Sequence, residues 1–208
     1  FPRSELNNGA SAPAARGGRR RQICRAVLEV SRFQRSQYAR MTLAERMMEV
    51  YLLRHGEAEE SFRIPDEERS LTPAGRRGLG DVLLRARAAG AGASLILASP
   101  LRRAVETAEL AAEILGTHAR ILTTDALRPD AVPAEVWDAI RTNSGENQIL
   151  LAGHEPLLSQ AIAFLLGAPA AQIDMRKGSL ARVDIDQFGS EPRGVLRWLI
   201  TPQLAAQA

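Results

Sequence analysis

The chain has 208 residues, 45% of them hydrophobic but only 4% aromatic, which suits one domain with a core of Leu, Ile, Val and Ala. No apolar run approaches the ~20 residues needed to cross a bilayer, and the single cysteine, Cys24, excludes an intrachain disulfide and a cysteine-based metal cluster. The net charge of +3 hides an asymmetry. Nine Arg and two Glu in residues 1–40 give +7, whereas the remaining 18 basic and 22 acidic residues give −4, so general nucleic-acid binding by the body of the chain is not expected.

Residues 1–47 form an Arg-rich extension whose first ~20 residues, rich in Gly, Ala, Pro and Ser, cannot bury enough surface to fold alone. Three readings compete: sequence upstream of the true start, a plain disordered tail, and a basic targeting or nucleic-acid-binding arm. The first is favoured, because Met41, Met47 and Met48 lie just before the first strand. The domain is expected over 48–202, with 203–208 as a tail. Low cysteine use fits a cytoplasmic setting.

From residue 49 the pattern becomes regular. Glu49–Leu53 reads as a strand. Thr72-Pro73 opens a helix, Thr as cap and Pro at the first helical position, running to about Ala89 and stopping at Gly90. Leu95–Ala98 is a second strand. Ser99-Pro100 opens the next helix in the same way, to near Leu115 before Gly116, with Leu101, Val105, Ala108 and Ala112 at helical spacing. Arg120–Leu122 reads as a short strand, Pro133–Arg141 as a helix, and Gln148–Ala152 as an apolar strand. Glu155-Pro156 opens a helix through Leu166, and Ala181–Ile185 with Val195–Ile200 reads as a closing hairpin. This alternation predicts an α/β fold: a three-layer sandwich with a mostly parallel sheet flanked by helices.

Three strand ends carry candidate chemistry. The first runs into Arg54-His55-Gly56-Glu57, the second into Ser99-Pro100-Leu101-Arg102-Arg103-Ala104-Val105-Glu106-Thr107, the third into Gly153-His154-Glu155-Pro156. Open α/β sheets bind ligands at the carboxyl ends of their strands, and helix N-termini there present free N–H groups to anions. Arg54, His55, Arg103 and His154 would then share one basic pocket. His55 supplies an attacking nitrogen, and arginine a planar fork matching phosphate oxygens. With no acidic or cysteine-rich cluster beside them, no metal site is expected.

From about residue 48 to 202 the chain resembles the histidine phosphatase superfamily, the phosphoglycerate mutase-like fold, in Leu53-Arg54-His55-Gly56-Glu57, Ser99-Pro100-Leu101-x-Arg103-Ala104-x-x-Thr107 and Gly153-His154. Within it the chain looks most like the small SixA-type phosphohistidine phosphatases. Asp66-x-x-Arg69-Ser70-Leu71-Thr72-x-x-Gly75 resembles their short link after the nucleophile, and the short stretch between Arg103 and His154 lacks the insertion that lids the pocket of the mutases. The resemblance implies that His55 is the nucleophile, that Arg54, Arg103 and His154 bind the phosphoryl group, and that no cofactor is needed. The substrate it implies is a histidine-phosphorylated protein, or else a small phosphorylated metabolite; a non-catalytic phosphoprotein-binding module is the rival of another class.

The proton donor is open. Glu57, Asp125 and Asp130 are the candidates, with Glu57 equally readable as a pocket residue or a turn cap. A phosphohistidine substrate needs such a donor least. Of the other singled-out residues, His118 reads as an exposed helix end, Arg102 as pointing away, and Trp137 and Trp198 as core; Arg69 reads equally as a cover of the phosphate pocket or a surface partner of Glu67 or Asp66, and Lys177-Gly178-Ser179 as a border of the site or, the favoured reading, a plain loop.

Overall fold

The computed structural model describes residues 47–60 and 63–207, so the expectations for 1–46 lie outside the described residues. Six strands form one sheet: β1 (Met48–Arg54), β2 (Leu95–Ala98), β3 (Arg120–Thr123), β4 (Gln148–Gly153), β5 (Leu180–Ile185) and β6 (Gly194–Ile200). Their order is β3-β2-β4-β1-β5-β6. The first four are mutually parallel, whereas β5 runs antiparallel to β1, and β6 antiparallel to β5. The sheet is therefore mixed, its parallel part holding the three motif-bearing strands side by side.

Strand alternation sorts the core into two layers. Val50, Leu52, Ile149 and Leu151 point to one side, where they meet helices α3 (Pro133–Thr142) and α4 (Leu157–Leu165) through Trp137, Ile140, Leu158 and Ile162. Tyr51, Leu53, Leu150 and Ala152 point to the other, against α1 (Pro73–Ala88) and α2 (Arg102–Leu115) through Leu79, Val82, Ala108 and Ala111. Ile149, Leu150 and Leu151 are fully buried, as a strand covered on both faces requires. Each such side chain contributes about 1.5–3 kcal/mol.

The helix signals are specific. Thr72 accepts the Gly75 N–H at 2.9 Å, with Pro73 in the first position, so α1 begins as expected and stops before Gly90 at φ 83°. Helix α2 ends on Gly116 at φ 66°. Its start differs: the helix begins at Arg102 with no side-chain cap, because Ser99 is fully buried and its Oγ lies 3.4 Å from the Leu101 N–H instead. Helix α4 begins two residues later than expected, the Glu155 carboxylate accepting the Ser159 N–H at 3.0 Å. Residues 203–208, expected as a tail, include most of a further helical turn, α5 (Pro202–Ala205), with Ala205 buried and its carbonyl accepting Arg85 Nε at 3.0 Å. Among the described residues no helix is long and apolar enough to cross a membrane.

One backbone approach is very tight. A Cβ on Gly75 would lie 2.1 Å from the Glu57 carbonyl oxygen and 2.7 Å from its nitrogen, so the turn after His55 rests directly on the first turn of α1. Gly75→Ala is expected to destabilise the fold by about 3 kcal/mol, lowering Tm by roughly 6–12 °C. A calorimetric scan showing an unchanged midpoint would contradict this close packing.

Candidate active site

The C-terminal ends of β1, β4 and β2 are neighbours, and the backbone continues their pairing past the strands. His55 N–H donates to Gly153 O at 3.0 Å and Ser99 N–H to Ala152 O at 2.9 Å, while Gly178 N–H donates to His55 O at 2.9 Å. The residues after each strand are thus fixed before any ligand arrives.

His55 is 8% exposed. Its Nδ1 lies 2.7 Å from the Gly56 carbonyl oxygen. That oxygen only accepts, so Nδ1 carries the hydrogen and Nε2 the lone pair. Thr107 links this turn to α2: its hydroxyl donates to Arg103 O at 2.7 Å and lies 3.4 Å from the Gly56 N–H. The motif threonine therefore joins the histidine loop to the helix turn that carries Arg103.

His154 faces His55 with ring centroids 4.9 Å apart and planes tilted by 56°. It is 2% exposed, and neither ring nitrogen has a hydrogen-bond partner. Arg54 sends Nη1 to Met175 O at 2.7 Å, while its buried Nε is also unpartnered. Buried polar atoms are nearly always paired, so an unmade bond on His154 and another on Arg54, beside one histidine lone pair, mark a site built for a polar ligand. Arg103, 5% exposed, donates from Nη1 to Asp66 O at 2.6 Å and from Nη2 to Asp66 Oδ2 at 3.0 Å.

Burial pushes the pKa of His55 down to about 4; the Gly56 hydrogen bond opposes this, and the charges of Arg103, Arg54 and Lys177 add to it. Burial likewise lowers His154 to about 3, helped by His55 and Arg103, with Asp66 opposing. Both rings are neutral at physiological pH. Because these values lie below the ordinary 6.5, the unfolded chain binds more protons. The stability gained by keeping the rings neutral is thus present above pH 6.5 and lost as pH falls through that value towards the folded ones. In the free protein, nitrogen NMR is expected to show both rings titrating well below 6.5. The acid limb of kcat/KM, corrected for substrate ionisation, should fall near pH 4. A limb near 6.5 would mean that His55 is not desolvated.

The four residues expected at the pocket come together. The candidate acids are all exposed. Glu57 is exposed, and its carbonyl accepts the Thr72 N–H at 2.9 Å. Asp125 and Asp130 lie 4.0 and 3.8 Å from Arg128, with side chains 87% and 84% exposed. Arg102 turns outward to Glu106 at 3.1 Å, His118 is exposed, and Trp137 is core. One reading was weighed the wrong way and one contact was missed. Lys177-Gly178-Ser179 is no plain loop: it holds the His55 carbonyl and sets a cation near its ring. Asp66 grips Arg103; its motif position beside Arg69 was visible, but its reach across to α2 was not.

Residues 50–129 match the family model described as histidine phosphatase superfamily (branch 1). An uncharacterised protein of Picosynechococcus sp. is 33% identical over 138 residues, 64% of this chain and 82% of the relative. The fold is similar to that of the protein histidine phosphatase SixA complexed with tungstate, with 24% identity, a TM-score of 0.67 and coverage of 75% of this chain and 98% of the other. It is also similar to a mycobacterial glucosyl-3-phosphoglycerate phosphatase, with 18% identity, a TM-score of 0.54 and coverage of 73% and 98%. With its strand-end histidines and arginines in one pocket, the chain belongs to the histidine phosphatase superfamily, branch 1.

Proposed function

We propose that the chain is a cytoplasmic phosphatase that forms a covalent phosphohistidine on His55 and removes the phosphoryl group from phosphohistidine in a protein. The observation that carries the mechanism is the Nε2 lone pair of a neutral His55 facing the ring of His154, whose nitrogens are unpartnered, within reach of the charges of Arg103 and Arg54. In the first step Nε2 attacks phosphorus, and the bond from phosphorus to the leaving nitrogen breaks. The leaving imidazole takes a proton from solvent. In the second step water attacks the phosphoenzyme, releasing phosphate and restoring neutral His55. Arg54 and Arg103 hold the equatorial oxygens, where charge is greatest in the transition state. His154 adds a hydrogen bond, gaining a proton as the dianion raises its affinity for one.

Two structural facts support a protein-bound phosphohistidine. Between Arg103 and His154 the chain passes through α2, β3, a 3-10 turn (Asp125–Leu127), α3 and β4, a path spent on the sandwich itself. The three candidate acids stand at the surface, which suits a nitrogen leaving group, since an alkoxide demands a positioned acid. The second reading is a small phosphomonoester, the class to which the glucosyl-3-phosphoglycerate of the mycobacterial neighbour belongs. Comparing kcat/KM on a histidine-phosphorylated protein with that on a panel of sugar phosphates and nucleotides decides between them. Higher values on the phosphoprotein are expected, and a metabolite that outperforms it overturns the choice. No turnover on any of them leaves a phosphoprotein-binding module.

A further inference from the structure

We propose that Asp66 is a positioning residue for Arg103, setting the guanidinium in the plane from which it meets the phosphoryl group. A long arginine side chain on a helix has many rotamers, and a phosphate-binding fork works only when its plane is fixed. Asp66 supplies two acceptors to two different terminal nitrogens: its backbone carbonyl takes Nη1 at 2.6 Å, and its carboxylate Oδ2 takes Nη2 at 3.0 Å. Two of the five guanidinium N–H groups are thereby committed, and the rest remain for phosphoryl oxygens.

Asp66 is itself held. Its other oxygen, Oδ1, accepts from Arg69 Nη1 at 2.8 Å, and Arg69 Nε donates to the Glu59 carbonyl. Glu67, the next residue in the same 3-10 turn (Asp66–Glu68), pairs with Arg128 at 3.0 Å. Burial works against the Asp66 charge, but hydrogen bonds from Arg69 and Arg103 keep its carboxyl below the usual range, so the carboxylate is an acceptor and not a proton donor at neutral pH. Its charge also favours a proton on His154, against the effect of Arg103. The turn Asp66–Glu68 thus acts on the phosphate site through Arg103 while its side chains stay at the surface.

The test is a double-mutant cycle of Asp66→Asn and Arg103→Ala, read by tungstate affinity and by kcat and KM. Asp66→Asn keeps the shape and the backbone carbonyl contact, and unfolding midpoints check that each variant folds. In the wild-type background Asp66→Asn should weaken tungstate binding about tenfold and lower kcat by about as much with little change in KM. In the Arg103→Ala background both effects should vanish. Equal losses in the two backgrounds would show that Asp66 acts elsewhere, and tighter tungstate binding by Asp66→Asn would make it a competitor for Arg103; either result overturns the proposal. The role rests on the phosphatase reading, but the tungstate arm needs no turnover, so failure of that reading would be seen separately.

Discussion

Replacing His55 by alanine is expected to lower kcat by about 10⁴-fold or more, because the step that splits the reaction in two then has no nucleophile. The surrounding pocket should survive. The ring makes one side-chain hydrogen bond, to its neighbour's carbonyl, and the backbone bonds from His55 to Gly153 and Gly178 do not depend on it. Tungstate should therefore still bind, held by Arg54, Arg103 and His154. Acid-labile phosphate trapped on the wild-type protein during turnover should be missing from the variant. A variant that retains a tenth of the wild-type rate, or that still traps phosphate, would place the nucleophile elsewhere, with His154 the next ring to test.

Arg54→Ala should lower kcat by about 10²–10³-fold, the range seen when one fixed donor to a transition-state oxyanion is removed. Arg54 is anchored from behind by Met175 O at 2.7 Å and keeps a buried, unpartnered Nε, so one part of the guanidinium is tied while another waits for an acceptor. Lysine should not rescue it. An ammonium group can satisfy the Met175 carbonyl or reach the ligand, but it lacks the planar fork that does both. Steady-state kinetics on Arg54→Ala and Arg54→Lys, with unfolding midpoints as a control, checks this. An Arg54→Lys variant within about threefold of wild type would mean that charge alone suffices.

The sequence carried what local chemistry writes. Apolar runs placed the three strands of the pocket, Thr72-Pro73 the start of α1, and Gly116 the end of α2, because caps and glycine turns act within a few residues of themselves. The strand-end histidines and arginines were legible because each follows a run that can only be a buried strand. Ser99 misled: a serine before a proline has the pattern of a cap, yet this one is buried under the strand end, and burial is decided by the rest of the fold. Asp66 was missed for a related reason. Its partner Arg103 lies 37 residues away, and nothing in a short acidic segment says which helix will lie across from it. Lys177 likewise gains its place only when β5 pairs with β1.

The position of β4 also has a consequence for how the protein is made. It is the last of the four parallel strands to leave the ribosome, yet it lies between β2 and β1, and its Gln148 hydrogen-bonds Glu49 across 99 residues of chain. Until β4 inserts, β1 and β2 have no contact in the sheet, and the arginine and histidine of one stand apart from the arginine that follows the other. Pairings at such separation form slowly, after the entropy of closing a long loop has been met. A nascent or truncated chain ending before residue 148 therefore holds two of the three strands of the pocket and lacks the one that carries His154 and joins the other two.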